Sequence, residues 1–315
     1  MNIIFPEIHT NLSKRISIAF NALGHTMIVP SDQYKPTYYG PTRPDWIWNS
    51  SYNQQKADKI FKYKNVRVLS KEEILDSKID CVFISSFENQ FEIIHELMPK
   101  MPKSTKLCHF SGNDYKSPYD YGYFEIKNYL YGDFSAHQKC KRYEIPNTLY
   151  YIPYMPFEEY PYKGDSTEVA VSTFICDFER NFPDCYKFAK HLESQNPEVR
   201  HIFVDNKSNE EVIETMQKSM ATFSWKPADG IGFSIIESQS CGRPVFLHRE
   251  LSHDRSYNQW CKEGETALFV SSPEEYRAKL LALATCTEYR SYIQKNCAAK
   301  IREYINNEEQ TLLLE

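Results

Sequence analysis

The sequence predicts an α/β protein of two domains, each built on a parallel sheet covered by helices. Three observations carry this prediction. Short β-branched or aromatic runs alternate with amphipathic stretches, the alternation starts again in the second half, and a proline-rich segment lies between the two series. The 315 residues allow two cores, at about 150 residues per domain.

In the first half the strand candidates are Asn2 to Phe5, Thr26 to Val29, Val66 to Leu69, Cys81 to Ser85 and Lys106 to Phe110. They are the short, largely apolar runs that a parallel sheet buries on both faces. Lys14 to Leu23 and Glu88 to Met98 carry apolar residues at helical spacing and serve as crossovers. The second half repeats the pattern with strands at Glu168 to Phe174, His201 to Val204, Ala221 to Trp225, Pro244 to His248 and Ala267 to Val270. Its helices are Pro183 to Ser194, Asn209 to Ser219 and Ser234 to Cys241. Between the halves, Pro153, Pro156 and Pro161 forbid helix from Tyr150 to Tyr162 and favour an extended connector, a hinge at which a cleft would open. After Pro273 the pattern turns helical, in Glu274 to Thr285 and Glu288 to Tyr304. The expected division is 1–155, 156–292 and a helical tail, 293–315, that packs back across both domains.

A chain that is 41% hydrophobic and 25% charged is ordinary for a globular protein, which excludes a disordered one. No apolar run reaches the roughly 18 residues of a membrane helix, and Pro6 and Glu7 interrupt the start, so a cytoplasmic protein is expected. The net charge of −5 divides into +3 over residues 1–150 and −8 over the remainder, so the first half better suits an anionic or polar partner. Nine cysteines, scattered and without a Cys-x-x-Cys pair, are expected as buried thiols.

The most informative stretch is Phe223 to Val245, which places a strand, a glycine-bearing turn, a short helix and a second strand in succession. That order suits a phosphate. Gly230 and Gly232 let the backbone approach a ligand, and the amides of Phe233 and Ser234 open a helix whose dipole favours an anion. Glu237, on the first turns of that helix, offers a carboxylate to vicinal hydroxyls such as those of a ribose. Asp229 stands at the entrance of the turn. A G-x-G turn before a helix is also a common way to pack helix on strand, and the residues alone leave both readings open.

Asp229-Gly-Ile-Gly-Phe-Ser-Ile-Ile-Glu237, followed by Ser240-Cys-Gly-Arg-Pro-Val245, resembles the Glu-x7-Glu donor motif of retaining glycosyltransferases with the GT-B fold, family 4 in particular. Asp229 replaces the usual first glutamate, which keeps the carboxylate and shortens its reach by one methylene. The resemblance implies two Rossmann-like domains with a donor cleft between them, an acceptor domain first and a nucleotide-sugar domain second, and C-terminal helices. It implies that Glu237 holds the ribose, Asp229 the sugar, and Gly232 with the Phe233 and Ser234 amides the diphosphate. His109, in Leu107-Cys-His-Phe-Ser-Gly-Asn-Asp114, ends a strand where family members often have a histidine facing the donor sugar, and Ser111, Asn113 and Asp114 would extend that wall. Of the two cations that clamp the diphosphate in the family, Arg180 takes the place of one and Ile175 stands at the other; Lys226 or Lys187 would have to compensate.

No cofactor is implied beyond the donor substrate itself, a nucleoside diphosphate sugar, with a UDP-sugar the first candidate. The chain has no Asp-x-Asp, His-x-x-x-His or Gly-x-Ser-x-Gly, so no metal ligand set and no covalent nucleophile motif is read, and a metal-independent transfer is expected. Eight aromatics between Tyr34 and Tyr63, mixed with Lys35, Arg43, Lys56, Lys59 and Lys62, would form an acceptor platform or pack into the edge of the first domain. The acceptor partner is then a saccharide or glycoconjugate hydroxyl, or a hydroxymethylated base in DNA. The absent clamp cation and the Asp229 exchange leave open a catalytically inactive sugar-nucleotide or glycan-binding homologue, and a sugar-nucleotide epimerase is a third reading.

Overall fold

The apolar runs become strands because each can be buried on both faces: Ile4, Ile28 and Ile84 are 0% exposed. A computed structural model of the chain describes residues 1–6, 10–31, 54–61, 65–85, 96–111, 128–131, 137–138, 141–142, 148–174, 183–204, 207–225, 231–252 and 255–315. It divides into two compact units, Met1–Met155 with Asn307–Glu315, and Pro156–Asn306.

The first unit holds the strands β1 (Asn2–Ile4), β2 (Thr26–Pro30), β3 (Val66–Leu69), β4 (Cys81–Ile84), β5 (Lys106–Ser111), β6 (Asn128–Tyr131) and β7 (Thr148–Tyr150). They form one sheet in the order β3-β2-β1-β4-β5-β6-β7, every pair parallel. The last two strands were not expected from the sequence. Its helices include α1 (Thr10–Ala22), α2 (Gln54–Ile60) and α3 (Lys71–Leu75), the last opened by a capping box between Ser70 and Glu73. The Gln54 amide covers the β3 edge, donating to Val66 O at 3.0 Å and accepting from Val68 N–H at 2.9 Å as a neighbouring strand would. Aromatic rings fill the core: Phe20 meets Phe83 edge-on at 5.8 Å, and Phe110 meets Tyr151 edge-on at 5.7 Å.

The second unit holds β8 (Ala170–Phe174), β9 (Arg200–Val204), β10 (Ala221–Ser224), β11 (Val245–His248) and β12 (Ala267–Val270) in the order β12-β11-β10-β8-β9, again all parallel. The helices are α4 (Pro183–Gln195), α5 (Asn209–Lys218), α6 (Phe233–Ser240), α7 (Arg249–Ser252), α8 (Pro273–Thr285) and α9 (Thr287–Tyr304). Ser208 and Glu211 form a capping box on α5, and Ser272 caps α8. One core joins Val171, Phe223, Trp225, Phe246, Leu280 and Ile293 from both sheet and helices. The chain then returns to the first unit as α10 (Asn307–Leu312). There Asn307 and Met155 exchange hydrogen bonds, Met155 N–H to Oδ1 at 2.9 Å and Nδ2 to Met155 O at 2.7 Å, and Ile152 N–H donates to Gln310 Oε1 at 2.7 Å. The buried Arg15 donates to Tyr154 O at 3.3 Å, so α1 and α10 both hold the proline-rich segment. No helix among the described residues is long and apolar enough to cross a membrane.

The free edge of β12 is closed by charges. Phe269 O accepts from Arg249 Nη2 at 3.0 Å and from Lys279 Nζ at 2.5 Å, while Phe269 N–H donates to Glu263 Oε2 at 3.1 Å. Glu275 completes the cluster, 2.8 Å from both cations. The hydrogen bond from Lys279, with help from the Ser271 N–H and Arg249, pulls the Glu275 carboxyl down to about 2. A depressed carboxyl contributes stability that is present above its unfolded value and lost as pH falls through the folded one. The second unit is therefore expected to lose part of its stability between about pH 4.5 and pH 2, and Glu275→Gln to flatten that portion of a denaturant-midpoint-against-pH curve. An unchanged slope in the variant would show that the cluster contributes nothing.

Of the described cysteines, Cys81, Cys241, Cys261 and Cys297 are buried and none is in a disulfide. Burial pushes the thiols of Cys81, Cys241 and Cys261 up to about 12, so these sulfurs act as packing atoms.

Candidate functional site

In the second sheet β9 lies on one side of β8 and β10, β11 and β12 follow on the other, so strand order reverses between β8 and β10. Ligands of open parallel sheets sit outside the carboxyl ends of the strands at such a switch point. Two connections leave the sheet there, 175–182 after β8 and 226–230 after β10. Arg180 and Ile175 belong to the first, and Lys226, Asp229 and Gly230 to the second; all five lie outside the described residues.

The chain re-enters at α6, and its first residues are built for a close backbone approach. Gly232 is the N-cap, with φ 73° and ψ 55°, the left-handed region. A Cβ there would stand 2.9 Å from both Ile235 Cδ1 and Tyr257 Cδ1, so conformation and space both require glycine. Gly232 O accepts from the N–H groups of Ile235 at 2.9 Å and Ile236 at 3.1 Å. The N-cap of α6, Gly232, has no side chain to cap the first turn, and the positive end of the dipole of this helix lies at the carboxyl side of the sheet. Ser234 Oγ has no hydrogen-bond partner among the described residues.

Glu237 follows one turn after Phe233, on the same helical face, and is half-buried. The rest of α6 anchors it. Ile235, Ile236, Ser238, Gln239 and Ser240 are buried, and Gln239 Nε2 donates to Thr266 O at 2.9 Å. At the helix end Arg243, 1% exposed, is buried among backbone carbonyls.

His109 differs from expectation. It lies within β5 rather than at its end, beside Ile84 of β4 and Tyr129 of β6, and is 1% exposed. Burial alone pushes its pKa down to about 3, so the imidazole is neutral. A neutral ring still offers one donor and one acceptor, but it is no general acid near neutral pH. Asn113 and Asp114 lie outside the described residues, as does the aromatic-basic stretch from Tyr34 to Tyr63 apart from 54–61, where Phe61 is buried. Lys187, considered as a compensating cation, is a surface side chain of α4, 78% exposed and 4.0 Å from Asp184.

Two side chains that sequence reasoning did not single out occupy the same strand ends. Trp225 directly follows β10, 6% exposed, with Phe188 of α4 stacked on it at 4.1 Å and 12°. His248 ends β11, its ring 4.4 Å from the indole and edge-on at 82°. The Leu251 N–H donates to His248 Nδ1 at 3.2 Å, and burial lowers the pKa of the ring against the opposing pull of Glu250. The available signal was an aromatic or imidazole side chain closing each apolar run. Among the described residues no group of three or more His, Cys, Asp or Glu is arranged to hold a metal ion.

No protein-family model matches the chain, and no curated protein matches it in sequence. Solved structures do match it in fold. A variant of TarM from S. aureus, in complex with Fondaparinux, α-GlcNAc-glycerol and UDP, superposes with a TM-score of 0.73 at 8% identity, covering 99% of this chain and 98% of that one. HepE from Anabaena, in complex with UDP and glucose, gives 0.67 at 9% identity over 100% and 98% of the two chains. A glycosyltransferase from Rickettsia africae gives 0.64 at 12% identity over 99% and 96%. At these identities the likeness is one of architecture, and the architecture is complete: this chain has the GT-B fold.

Proposed function

We propose that this protein is a glycosyltransferase, moving a sugar from a nucleoside diphosphate sugar to an acceptor hydroxyl with retention of configuration and without a metal ion. The observation that carries the reading is the N-terminus of α6, started by a left-handed glycine, at the switch point of a GT-B fold, with Glu237 one turn further on. UDP and glucose in the HepE structure, and UDP in that of TarM, support a UDP-sugar as donor. Glu237 would hold the ribose, the α6 amides with Arg180 and Lys226 the diphosphate, and Asp229 the sugar, while His109, inside the sheet, would support the strand end from behind rather than touch the sugar. Arg180 would stabilise charge on the leaving diphosphate, so the chemistry rests on positioning and leaving-group stabilisation. Retention and metal independence rest on the motif from Asp229 to Glu237 and the absence of Asp-x-Asp. The second unit is read as the donor domain and the first as the acceptor domain of a cytoplasmic enzyme.

The acceptor is read as a saccharide or glycoconjugate hydroxyl, a reading supported by the α-GlcNAc-glycerol in the TarM complex. The aromatic-basic stretch keeps a hydroxymethylated base in DNA as a second reading, which activity independent of salt from about 50 to 300 mM would exclude. Thermal unfolding against UDP, GDP, ADP, CDP and dTDP, alone and as sugar conjugates, tests the donor. One nucleotide at about 100 times its dissociation constant is expected to add roughly 2.7 kcal/mol, a rise of several degrees. No rise with any of them would overturn the proposal. Slow hydrolysis of the stabilising conjugate in the absence of acceptor separates an enzyme from an inactive binding homologue.

A further inference from the structure

A buried indole N–H usually finds a partner, because leaving it unpaired forfeits its hydration with nothing in return. Trp225 Nε1 is buried and has none among the described residues. Trp260 Nε1 is likewise unpaired, but it lies in the turn that leads into β12, whereas Trp225 stands at the carboxyl end of β10, beside the switch point. The indole is not free to turn away: Phe188 stacks on one side of it and His248 meets it edge-on.

His248 brings a second donor to the same place. Ser224 and Leu247 are register partners in the parallel β10–β11 pair, so the next residues, Trp225 and His248, are neighbours at the strand ends. The Leu251 N–H occupies Nδ1 as an acceptor, which leaves the proton of the neutral ring on Nε2. Trp225 Nε1–H thus lacks an acceptor among the described residues, and the Nε2–H of His248 stands on the neighbouring strand end, where 226–230 departs.

We infer that Trp225 Nε1–H and His248 Nε2–H form a paired donor that reads uncharged oxygens of the bound nucleotide sugar, either hydroxyls of its transferred sugar or a carbonyl of its base. This inference rests on the proposed donor site and adds to it a specificity element outside the Asp229 to Glu237 motif. An indole and a neutral imidazole are uncharged donors, suited to discriminating one sugar or base from another. Bulk charge attraction to the diphosphate is left to Arg180 and the α6 dipole.

The test uses two conservative variants of the full chain. Trp225→Phe keeps the aromatic packing and removes the N–H; His248→Asn keeps an acceptor for the Leu251 N–H and removes Nε2. Calorimetric titration with UDP and with UDP-glucose, or with whichever nucleotide stabilises the wild type, is the readout. Each variant is expected to weaken binding about tenfold, the equivalent of one hydrogen bond, with an unfolding temperature near that of the wild type. Loss confined to the sugar conjugate assigns the pair to the sugar, and equal loss with the diphosphate alone assigns it to the base. Folded variants that bind both ligands as the wild type does would overturn the inference while leaving the donor site intact. A wild type that binds neither would overturn the donor site itself.

Discussion

Arg243→Met is expected to lower the stability of the second unit by about 3–4 kcal/mol, a fall of roughly 10 °C in its melting temperature. Arg243 is 1% exposed, and the hydrogen-bond partners of its guanidinium are carbonyl oxygens. Nε donates to Met216 O at 3.1 Å, Nη1 to Gly242 O at 3.2 Å, and Nη2 to Gly164 O at 3.1 Å and Gln217 O at 2.5 Å. Met216 and Gln217 belong to the last turn of α5, whose carbonyls have no partner further along the helix and carry the negative end of its dipole. One side chain thus closes α5, ties it to the segment through Gly164, and pins the turn after α6. Methionine fills much of the volume but leaves these buried acceptors unsatisfied, each at about 1–3 kcal/mol, offset in part by the desolvation no longer needed for the charge. Arg243→Lys keeps the charge without the planar fork and is expected to fall between the two. Differential scanning calorimetry of the three proteins is the measurement. A methionine variant within about 1 kcal/mol of wild type would mean that the carbonyls find other partners at little cost.

Glu237→Ala is expected to weaken nucleotide binding about a hundredfold while changing stability without ligand by less than about 1 kcal/mol. The side chain is half-buried on a helix that its other residues anchor, and alanine is a good helix former, so the helix itself is kept. Two charge-assisted hydrogen bonds to vicinal hydroxyls, at about 1.5 kcal/mol each, account for the loss. The same account has a second consequence. Wild type should prefer UDP over its 2′-deoxy form by about tenfold, and the variant should bind the two alike. Titration calorimetry of both proteins against both nucleotides decides the matter, and a folded variant with wild-type affinity would remove Glu237 from the donor site.

Much of the fold was legible because the signals are local. The β-branched runs at Thr26 to Val29 and Ala267 to Val270 form strands where the pattern places them, since burial on both faces selects such residues. The stretch from Gly232 to Val245 was equally readable: Gly232 marks a left-handed turn, and Ile235 and Ile236 mark the buried side of the helix that follows. Other features were hidden. The strands Asn128–Tyr131 and Thr148–Tyr150 are four and three residues long, and so short a run is a strand only because a neighbour is there to pair with it. His109 read as a strand-end residue, yet β5 continues to Ser111 beside β6, which leaves the ring inside the sheet.

By itself, then, the sequence determined the alternation of elements, the proline-bearing connector and the glycine-started helix, each set by backbone preferences and apolar spacing within a few residues. The tertiary structure alone decided the strand orders, the reversal between β8 and β10, the return of Asn307 to Met155, the burial of Arg243 and the meeting of Trp225 with His248. Parallel strands pair residues far apart in the chain, and a register or a buried hydrogen bond exists only once both partners have been brought together.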